Sequence, residues 1–459
     1  MTQPSDGMPT PMRYWAIVTI GLGLVMAVLD GTVANIALPT IARDLHVSSA
    51  FSIWIVNGYQ FAITISLLPL SSLGDIIGYR RVYLCGLVLF TIASLACALS
   101  HSLLTLALAR VLQGCGAAGI MSVSIALVRF IYPTRMLGYG VGINAMVVAI
   151  SSAAGPTVAS GILAVASWPW LFAVNVPLGI VACAIAIRAL PKTPRGTHSF
   201  DVLGAVLSAA TFGLVIGGID AAGHGAAGSL VIPEMSVAAA CVYLLVRREL
   251  TRPSPLLPVD LLRLPIFSLS VGTSICSFVA QMLALVALPF HLQSEFGYSA
   301  VQTGLLVTPW PLAVAVAAPI AGRLADRYSA GLLGCIGLVV FAFGLASLAY
   351  IPPRPDLTDI VWRMAICGLG FGLFQSPNNR AMLSSVPRER SGGASGMLGT
   401  ARLLGQTIGA ALVALLFSRL AGHATNVALF IAAGFALTAA AVSSMRLTKN
   451  AQASPGTIH

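Results

Sequence analysis

The chain has 459 residues, of which 57% are hydrophobic and only 8% are charged, and its mean hydropathy is +0.91. Soluble domains carry about 25% charged residues, so too little polar surface remains here to face water. The composition excludes a soluble globular protein and predicts one that resides in a bilayer. The net charge of +11 would suit a nucleic-acid partner only if the basic residues were clustered.

Fourteen apolar runs are long enough to cross a membrane, which takes about 20 residues. Runs seven and eight are the weakest, because the link AAGHGAAG between them is short and weakly polar. The first run follows a short polar segment without a cleavage site, so we expect an uncleaved first helix. In chain order the runs are 15–38, 51–72, 82–100, 103–127, 138–164, 168–188, 202–219, 230–246, 266–290, 300–321, 331–351, 359–381, 394–417 and 425–445.

Lys and Arg residues set the orientation of these runs. If the N-terminus is inside, 19 of the 25 Lys and Arg lie in inner loops or tails, and only four lie outside. This bias predicts that both termini are cytoplasmic. The basic residues are spread over seven loops and both tails, so we expect no nucleic-acid partner.

No residue pattern indicates an enzyme, a metal site or a cofactor. The eight cysteines lie in apolar runs without a CxxC pair, and the seven histidines lack ligand spacing. No P-loop, HExxH or GxSxG motif is present, so the sequence leaves an ion gradient as the energy source.

Two landmarks recur along the chain at nearly the same offset. The loop after run two, SSLGDIIGYRRV, contains Asp75, and the loop after run ten, AGRLADRYSAGLL, contains Asp326, 251 positions later. GCGAAG from Gly114 and GLGFG from Gly368 are 254 positions apart. Constant offsets predict two related halves. We expect six-helix bundles in residues 1–190 and 264–459, with two inserted helices in residues 191–263.

Several segments carry a family resemblance over about residues 16–447. They are LDGTVANIALP, SIWIVNGYQFA, GDIIGYRR, RVLQGCGAAG, AAGPTVASG and WPWLFAVNVPLG in the first half, and GRLADR in the second. Together they resemble the major facilitator superfamily, and within it the fourteen-span drug:proton antiporters. The resemblance implies an all-α fold of two six-helix bundles in pseudo-two-fold arrangement. It also implies a multi-pass protein of the bacterial inner membrane that works as a monomer.

Asp30 is the only carboxylate within the first apolar run. A charge at mid-bilayer depth costs at least ~2.5 kcal/mol, unless it faces water or takes up a proton. Desolvation favours the protonated form of a carboxylate, so Asp30 is a candidate proton carrier that competes for protons with a bound cation. The alternative is a structural Asp30 that neighbouring polar groups hold in place. Asn35, on the same helix, could hydrogen-bond to either protonation state.

Arg110 is the only basic residue near the middle of run four, with Gln113 about one turn further on. A buried Arg needs a partner and favours ionisation of a nearby acid. The resemblance implies that Arg110 takes part in proton transfer; packing against carbonyl groups is the alternative. For Arg402 in run thirteen, snorkelling to the inner surface is the favoured interpretation.

The resemblance assigns the repeated loops to a conformational latch on the cytoplasmic side. Its members would be Asp75, Arg80, Arg81, Asp326 and Arg327. A carboxylate near a helix N-terminus meets the positive end of the helix dipole. The second copy departs from the family pattern, because it continues as YSAG instead of Gly-Arg and a basic residue. In run five, Gly155 and Pro156 predict a kink and correspond to the family's antiporter motif.

Polar and aromatic residues in the middle of the runs are candidates for the wall of a substrate cavity. Interhelical hydrogen bonding is the alternative for each polar residue, and lipid contact or packing is the alternative for each aromatic residue. The candidates are Asn35, Trp54, Asn57, Gln60, Gln113, Asn144, Gln281, Trp310, Gln375 and Asn378.

These features predict a proton-coupled antiporter that exports small lipophilic compounds, cationic or neutral, by alternating access. Drugs, dyes and biocides are the expected substrates, because a cavity with the single carboxylate Asp30 suits a monovalent cation or a neutral compound. The alternative within transport is a dedicated exporter of one metabolite or organic acid. A membrane sensor or scaffold and a membrane enzyme are the alternatives outside transport.

Overall fold

The structure is a computed structural model of the whole chain. It describes residues 7–47, 52, 54–196, 200–223, 228–251, 260–298, 300–352, 355–420 and 424–452. The side chains of Asn35 and Pro156 lie outside the described part.

Six helices form the first half, and they pack mainly on one another. A separate short helix, Trp170–Ala173, directly precedes the sixth. Their bounds are α1 Thr10–Asp44, α2 Trp54–Ile77, α3 Tyr79–Ala98, α4 Leu103–Ile131, α5 Leu137–Val165 and α6 Asn175–Ala189.

Two further helices follow, α7 Val202–Gly223 and α8 Gly228–Glu249. They pack against each other, and α7 also contacts α2. Arg248 donates two hydrogen bonds to Asp201, at 3.0 and 2.7 Å, which joins the end of α8 to the start of α7.

The second half repeats the pattern of six helices that pack on one another. The second of them, α10, is divided into two segments at Thr308, where Pro309 and Pro311 remove backbone donors. The bounds are α9 Pro265–Ser294, α10 Ala300–Val307 and Pro309–Ala325, α11 Ala330–Ala349, α12 Leu357–Ser384, α13 Ser391–Arg419 and α14 Ala424–Gln452.

Within the described ranges, twelve helices are long and apolar enough to cross a membrane. They are α1 to α6 and α9 to α14, while α7 contributes only a shorter apolar stretch, Val202–Val215. Large apolar side chains remain exposed along these helices, for example Ile92 at 62%. Such a surface suits contact with lipid tails, so the fold is an all-helical, multi-pass membrane fold.

The two halves approach each other at one end of the molecule. We call the end at which α1 begins and α14 ends the termini face, and the opposite end the far face. Near the termini face, α5 and α10 touch through backbone: a Cβ on Gly142 would lie 2.5 Å from the Ala318 carbonyl oxygen. Towards the far face, a Cβ on Gly161 or Gly304 would meet nothing within 4 Å. Both glycines therefore face open space towards the far face.

Candidate functional site

The Asp30 carboxylate is held in the interior of the first bundle. Asp30 is 3% exposed and Arg110 is fully buried. Arg110 Nη1 donates to Asp30 Oδ2, which makes a direct ion pair. Asp30 Oδ1 accepts hydrogen bonds from Gln113 Nε2 and from Asn175 Nδ2, both at 2.9 Å. Three donors on α4 and α6 thus surround one carboxylate on α1.

The Arg110 guanidinium makes further contacts across the bundle. Its Nε donates to the Ile55 carbonyl oxygen on α2 at 2.9 Å, and Nη1 also donates to Gln113 Oε1 at 2.7 Å. The guanidinium carbon lies 4.1 Å from the centre of the Tyr59 ring and 5.5 Å from that of Phe172. A cation over aromatic faces is stabilised by their negative potential, so Tyr59 and Phe172 favour a guanidinium at this buried position.

Small residues on α4 make this arrangement possible. A Cβ on Gly114 would lie 2.5 Å from the Tyr59 carbonyl oxygen, and one on Gly116 would lie 2.5 Å from the Phe90 backbone nitrogen. Glycine therefore allows α2 and α3 to approach α4 closely. On the α3 side, Gln113 Nε2 donates to Ser94 Oγ at 2.9 Å, which completes the polar cluster.

The cluster lies towards the far face. Arg110 is seven residues from the start of α4, about 10 Å along the helix axis. Its partner Ile55 belongs to the first turn of α2. A buried pair of this kind is stable only while both charges are present, because removing one partner leaves the other uncompensated at a cost of about 3–5 kcal/mol.

Asp75 joins the two bundles at the termini face. It lies near the end of α2, and its carboxylate accepts hydrogen bonds from the Gly392 and Gly393 backbone nitrogens, at 3.0 and 3.2 Å. Those nitrogens belong to the first turn of α13 in the other bundle. Tyr79 donates to the same carboxylate at 2.7 Å. The contact combines capping of free N–H groups with the favourable dipole end of α13.

Asp326 makes the corresponding contact from the second half. It follows the last turn of α10 and accepts from the Gly138 and Tyr139 backbone nitrogens, at 3.0 and 3.3 Å, at the start of α5. The Nε of Arg380, on α12, lies 2.9 Å from the same carboxylate. The two aspartates therefore cap helices of opposite bundles in a two-fold arrangement, despite the weaker sequence match of the second copy.

The basic residues expected beside these aspartates lie elsewhere. Arg80 donates to the Ile187 carbonyl oxygen of α6, and Arg81 and Arg327 are exposed. Arg129 on α4 crosses between the bundles instead, donating to Ser391 Oγ and to the Val386 carbonyl oxygen, both at 2.9 Å.

A cavity of about 70 Å³ lies between the two bundles. Two of the expected substrate-binding residues, Asn144 on α5 and Gln375 on α12, line it from opposite sides. The described residues around it contribute no carboxylate, so Asp30 is not part of its wall. The polar residues that line it are Ser124, Asn144, Gln375, Asn379, Ser395 and Arg402.

The other expected substrate-binding residues are not brought together in that cavity. Gln113 belongs to the Asp30 cluster, and Trp310 packs in the core of the second bundle, 5.5 Å from the Phe341 ring. Trp54, Asn57 and Gln60 are exposed along α2, and Gln281 is half-buried on α9.

Asn378 instead belongs to a second buried polar cluster, around Arg446 on α14. Arg446 is 1% exposed and donates to Ser270 Oγ and Asn378 Oδ1, both at 2.8 Å. Run fourteen was expected to end at residue 445, but α14 extends to Gln452 and therefore includes Arg446.

In run five, α5 continues through positions 155 and 156. A side chain on Gly155 would overlap Thr32 of α1, so a glycine there permits close packing of α5 on α1. Asn35 and Pro156 fall outside the described side chains, and their expected roles stay predictions.

Comparison with known proteins identifies the family. The sequence profile of the Major Facilitator Superfamily matches residues 20–410, and a second match covers residues 269–456. The chain belongs to the Major Facilitator Superfamily. It is therefore a membrane transporter of small molecules and not an enzyme.

The names of similar proteins give them different roles. The chain is 57% identical to the uncharacterized transporter YebQ of Escherichia coli, over 97% of this chain and 98% of that one. It is 30% identical to the riboflavin transporter RibZ of Clostridioides difficile, over 89% of each chain. It is 32% identical to the multidrug resistance protein Stp of Mycobacterium tuberculosis, over 86% of this chain and 74% of that one.

A solved structure supports the fold. The human organic anion transporter MFSD10 superimposes with a TM-score of 0.70 at 16% identity, covering 95% of this chain and 100% of that one. At this identity the likeness concerns the fold alone.

We expect Asp30→Asn and Arg110→Gln each to destabilise the protein by about 3–5 kcal/mol, because each leaves one buried partner uncompensated. The double variant is expected to lose less stability than the sum of the losses in the two single variants. Thermal unfolding in detergent micelles measures this coupling. The matched control is the pair Asp359 and Arg363, 3.1 Å apart and more exposed, where coupling of about 0.2–1 kcal/mol is expected. If the stability losses of Asp30→Asn and Arg110→Gln simply add in the double variant, the two residues do not stabilise each other as a buried ion pair.

Proposed function

We propose that this transporter is a proton-coupled antiporter that exports small organic compounds from the bacterial cytoplasm by alternating access. The observation that supports this best is the buried pair of Asp30 and Arg110. Protonation removes the charge of Asp30 and leaves Arg110 without a counter-ion. The two protonation states therefore favour different packing of α1, α2, α4 and α6, which is what coupling requires.

The position of the pair fits proton entry from the far face. If that face is the outside, protons arrive there from the more acidic compartment while the bundles touch at the termini face. Moving one charge through 100 mV supplies ~2.3 kcal/mol. At about 1.4 kcal/mol per tenfold ratio, that is enough for an approximately fiftyfold substrate gradient.

We assign the termini face to the cytoplasm and the latch role to Asp75 and Asp326. The excess of Lys and Arg in the loops of that face supports the orientation. Each aspartate caps a helix of the opposite bundle, so both contacts must break before the cytoplasmic face opens. Arg80, Arg81 and Arg327 would then serve as part of the basic inner surface near this latch, while Arg380 and Arg129 make the contacts across it.

We also propose that α7 and α8 cross the membrane, which gives fourteen spans divided at residues 1–190, 191–263 and 264–459. Each helix has 22 residues, about 33 Å at 1.5 Å per residue, which suffices for a hydrocarbon core of about 30 Å. The joined ends at Asp201 and Arg248 support a hairpin that returns to the face from which it starts.

For the substrate, multidrug export is the first candidate, supported by the name of the relative Stp. The pairing of Asp30 with Arg110 removes the main reason for expecting cationic drugs, while neutral compounds remain suitable. The second candidate, export of a single metabolite or an organic acid, is favoured by Arg402, the only charged residue among those that line the cavity.

We expect energised inverted membrane vesicles to accumulate at least one of three probes: the cation ethidium, neutral riboflavin or anionic fluorescein. A protonophore should abolish accumulation, because the proton gradient drives it. Asp30→Asn should also abolish accumulation. Asp359→Asn is the control, because it removes the carboxylate that pairs with Arg363 on α12, and it should leave accumulation intact. Accumulation by Asp30→Asn, or accumulation that resists the protonophore, would contradict the proposal.

We expect Asp75→Asn to make the cavity more accessible from the cytoplasmic side. The reporter is Ser124→Cys, in a background without the native cysteines, labelled by a membrane-impermeant thiol reagent added to inverted vesicles. The labelling rate should rise by up to about thirtyfold, because interactions with a helix terminus contribute up to about 2 kcal/mol. Asp359→Asn is the control. An unchanged rate with Asp75→Asn would show that the contact with α13 does not hold this face closed.

A further inference from the structure

The cavity between the bundles contains a positive charge that the described residues leave without a partner. Arg402 lies on α13 and lines this cavity. In the described part of the chain, no ion pair or hydrogen bond reaches its guanidinium. Two fully buried arginines differ in this respect: Arg110 pairs with Asp30, and Arg446 donates to serine and asparagine oxygens. A charge at membrane depth without a partner is costly and marks a functional position.

Two buried polar atoms beside Arg402 also lack partners in the described part. Asn144 Nδ2, on α5, belongs to a residue that is 7% exposed, and Ser395 Oγ, on α13, to one that is 3% exposed. Both residues line the same cavity as Arg402. Buried polar groups in proteins are nearly always satisfied, so these two atoms are available to hydrogen-bond a ligand.

The three groups share one chemical preference. A guanidinium and an amide nitrogen donate hydrogen bonds, and a hydroxyl can donate one. An anionic oxygen group accepts from all of them, and a guanidinium matches the geometry of a carboxylate. No described residue of the cavity wall is acidic, so nothing there competes with a bound anion.

The rest of the wall is apolar. Leu67 on α2, Phe278 on α9 and Leu398 on α13 face the same cavity. They suit the hydrocarbon or aromatic body of a ligand whose charged group is at Arg402. A simple inorganic anion would leave these surfaces uncovered, which favours an amphiphilic organic molecule. Because the cavity has only about 70 Å³, such a ligand requires the bundles to move apart.

We propose that the central cavity binds a small amphiphilic compound through an anionic oxygen group, such as a carboxylate, with Arg402 as its counter-ion and Asn144 and Ser395 as hydrogen-bond donors. This inference rests on the proposed function in that it names the substrate class of the exporter. The ligand would touch α5 of one bundle and α13 of the other. Its binding would therefore depend on the relative position of the bundles.

Two dyes that differ in one group test this proposal. Rhodamine 110 carries a free carboxylate, and rhodamine 123 is its methyl ester. Fluorescence anisotropy on the purified full-length protein in lipid nanodiscs gives the affinity of each. We expect rhodamine 110 to bind more tightly than rhodamine 123. Arg402→Gln should weaken rhodamine 110 binding about tenfold or more and change rhodamine 123 binding less than about threefold, because only the acid gains a charge-assisted hydrogen bond.

Further variants separate loss of the site from loss of folding. Arg402→Lys keeps the charge and should retain part of the preference for the acid. Ser395→Ala removes one donor and should weaken acid binding by a smaller factor than Arg402→Gln. Arg363→Gln, on α12 outside the cavity, should leave both affinities unchanged. The proposal is overturned if rhodamine 110 does not bind the wild type, if the ester binds as well as the acid, or if Arg402→Gln leaves the preference intact.

The outcome is independent of proton coupling, because no gradient is applied. Acid-selective binding that depends on Arg402, together with vesicle accumulation that resists a protonophore, would refute the proposed function and support this inference. If ethidium alone accumulates in a protonophore-sensitive way and rhodamine 110 does not bind, the proposed function is supported and this inference is refuted.

Discussion

An unpaired charge in a bilayer interior is costly, and this constraint accounts for the arrangement of the first bundle. Asp30 is stable there because Arg110 supplies the opposite charge and Gln113 and Asn175 satisfy the other carboxylate oxygen. The glycines of α4 allow the neighbouring helices to approach, and the ring of Tyr59 covers the guanidinium. The presence of Asp30 in an apolar run is thus explained by a partner 80 positions away.

The cost of burying a charge also applies to the carboxylates at the interface between the bundles. Asp75 and Asp326 are also desolvated carboxylates, but their partners are backbone N–H groups of the opposite bundle. Such contacts are lost when the bundles separate, whereas the Asp30 pair lies within one bundle. We propose that the Asp30 cluster responds to protons and that the two aspartate contacts respond to bundle position. In the account proposed here, alternating access arises from the connection between them through α2, which carries both Ile55 and Asp75.

Much of the fold follows from the sequence, because apolar length is a strong signal. Run four at 103–127 became α4 Leu103–Ile131, and run ten became a helix divided where Pro309 and Pro311 predict deformation. The number of spans followed less directly. Within the described ranges, twelve helices are long and apolar enough to cross a membrane, and the helices of runs seven and eight are not among them.

The candidate site was less predictable, since it depends on contacts between distant segments. Asp30 and Arg110 were both recognisable as costly charges, but their direct pairing required the positions of four helices. Asn175 lies in the quoted segment WPWLFAVNVPLG, but nothing in that segment marked it as a partner of Asp30. Arg402 was expected to snorkel, yet it lines the cavity. Arg380 pairs with Asp326 in place of the adjacent Arg327, because adjacency in sequence does not fix which side chain points across an interface.

The most direct test of the central claim separates proton coupling from substrate movement. Purified protein in liposomes carries out two reactions with the same substrate: uphill accumulation driven by an imposed pH gradient, and exchange of labelled for unlabelled substrate without a gradient. If Asp30 is the coupling carboxylate, Asp30→Asn loses the first reaction and retains the second. Uphill accumulation by Asp30→Asn at the wild-type level would contradict the account, and the buried pair would then have only a structural role.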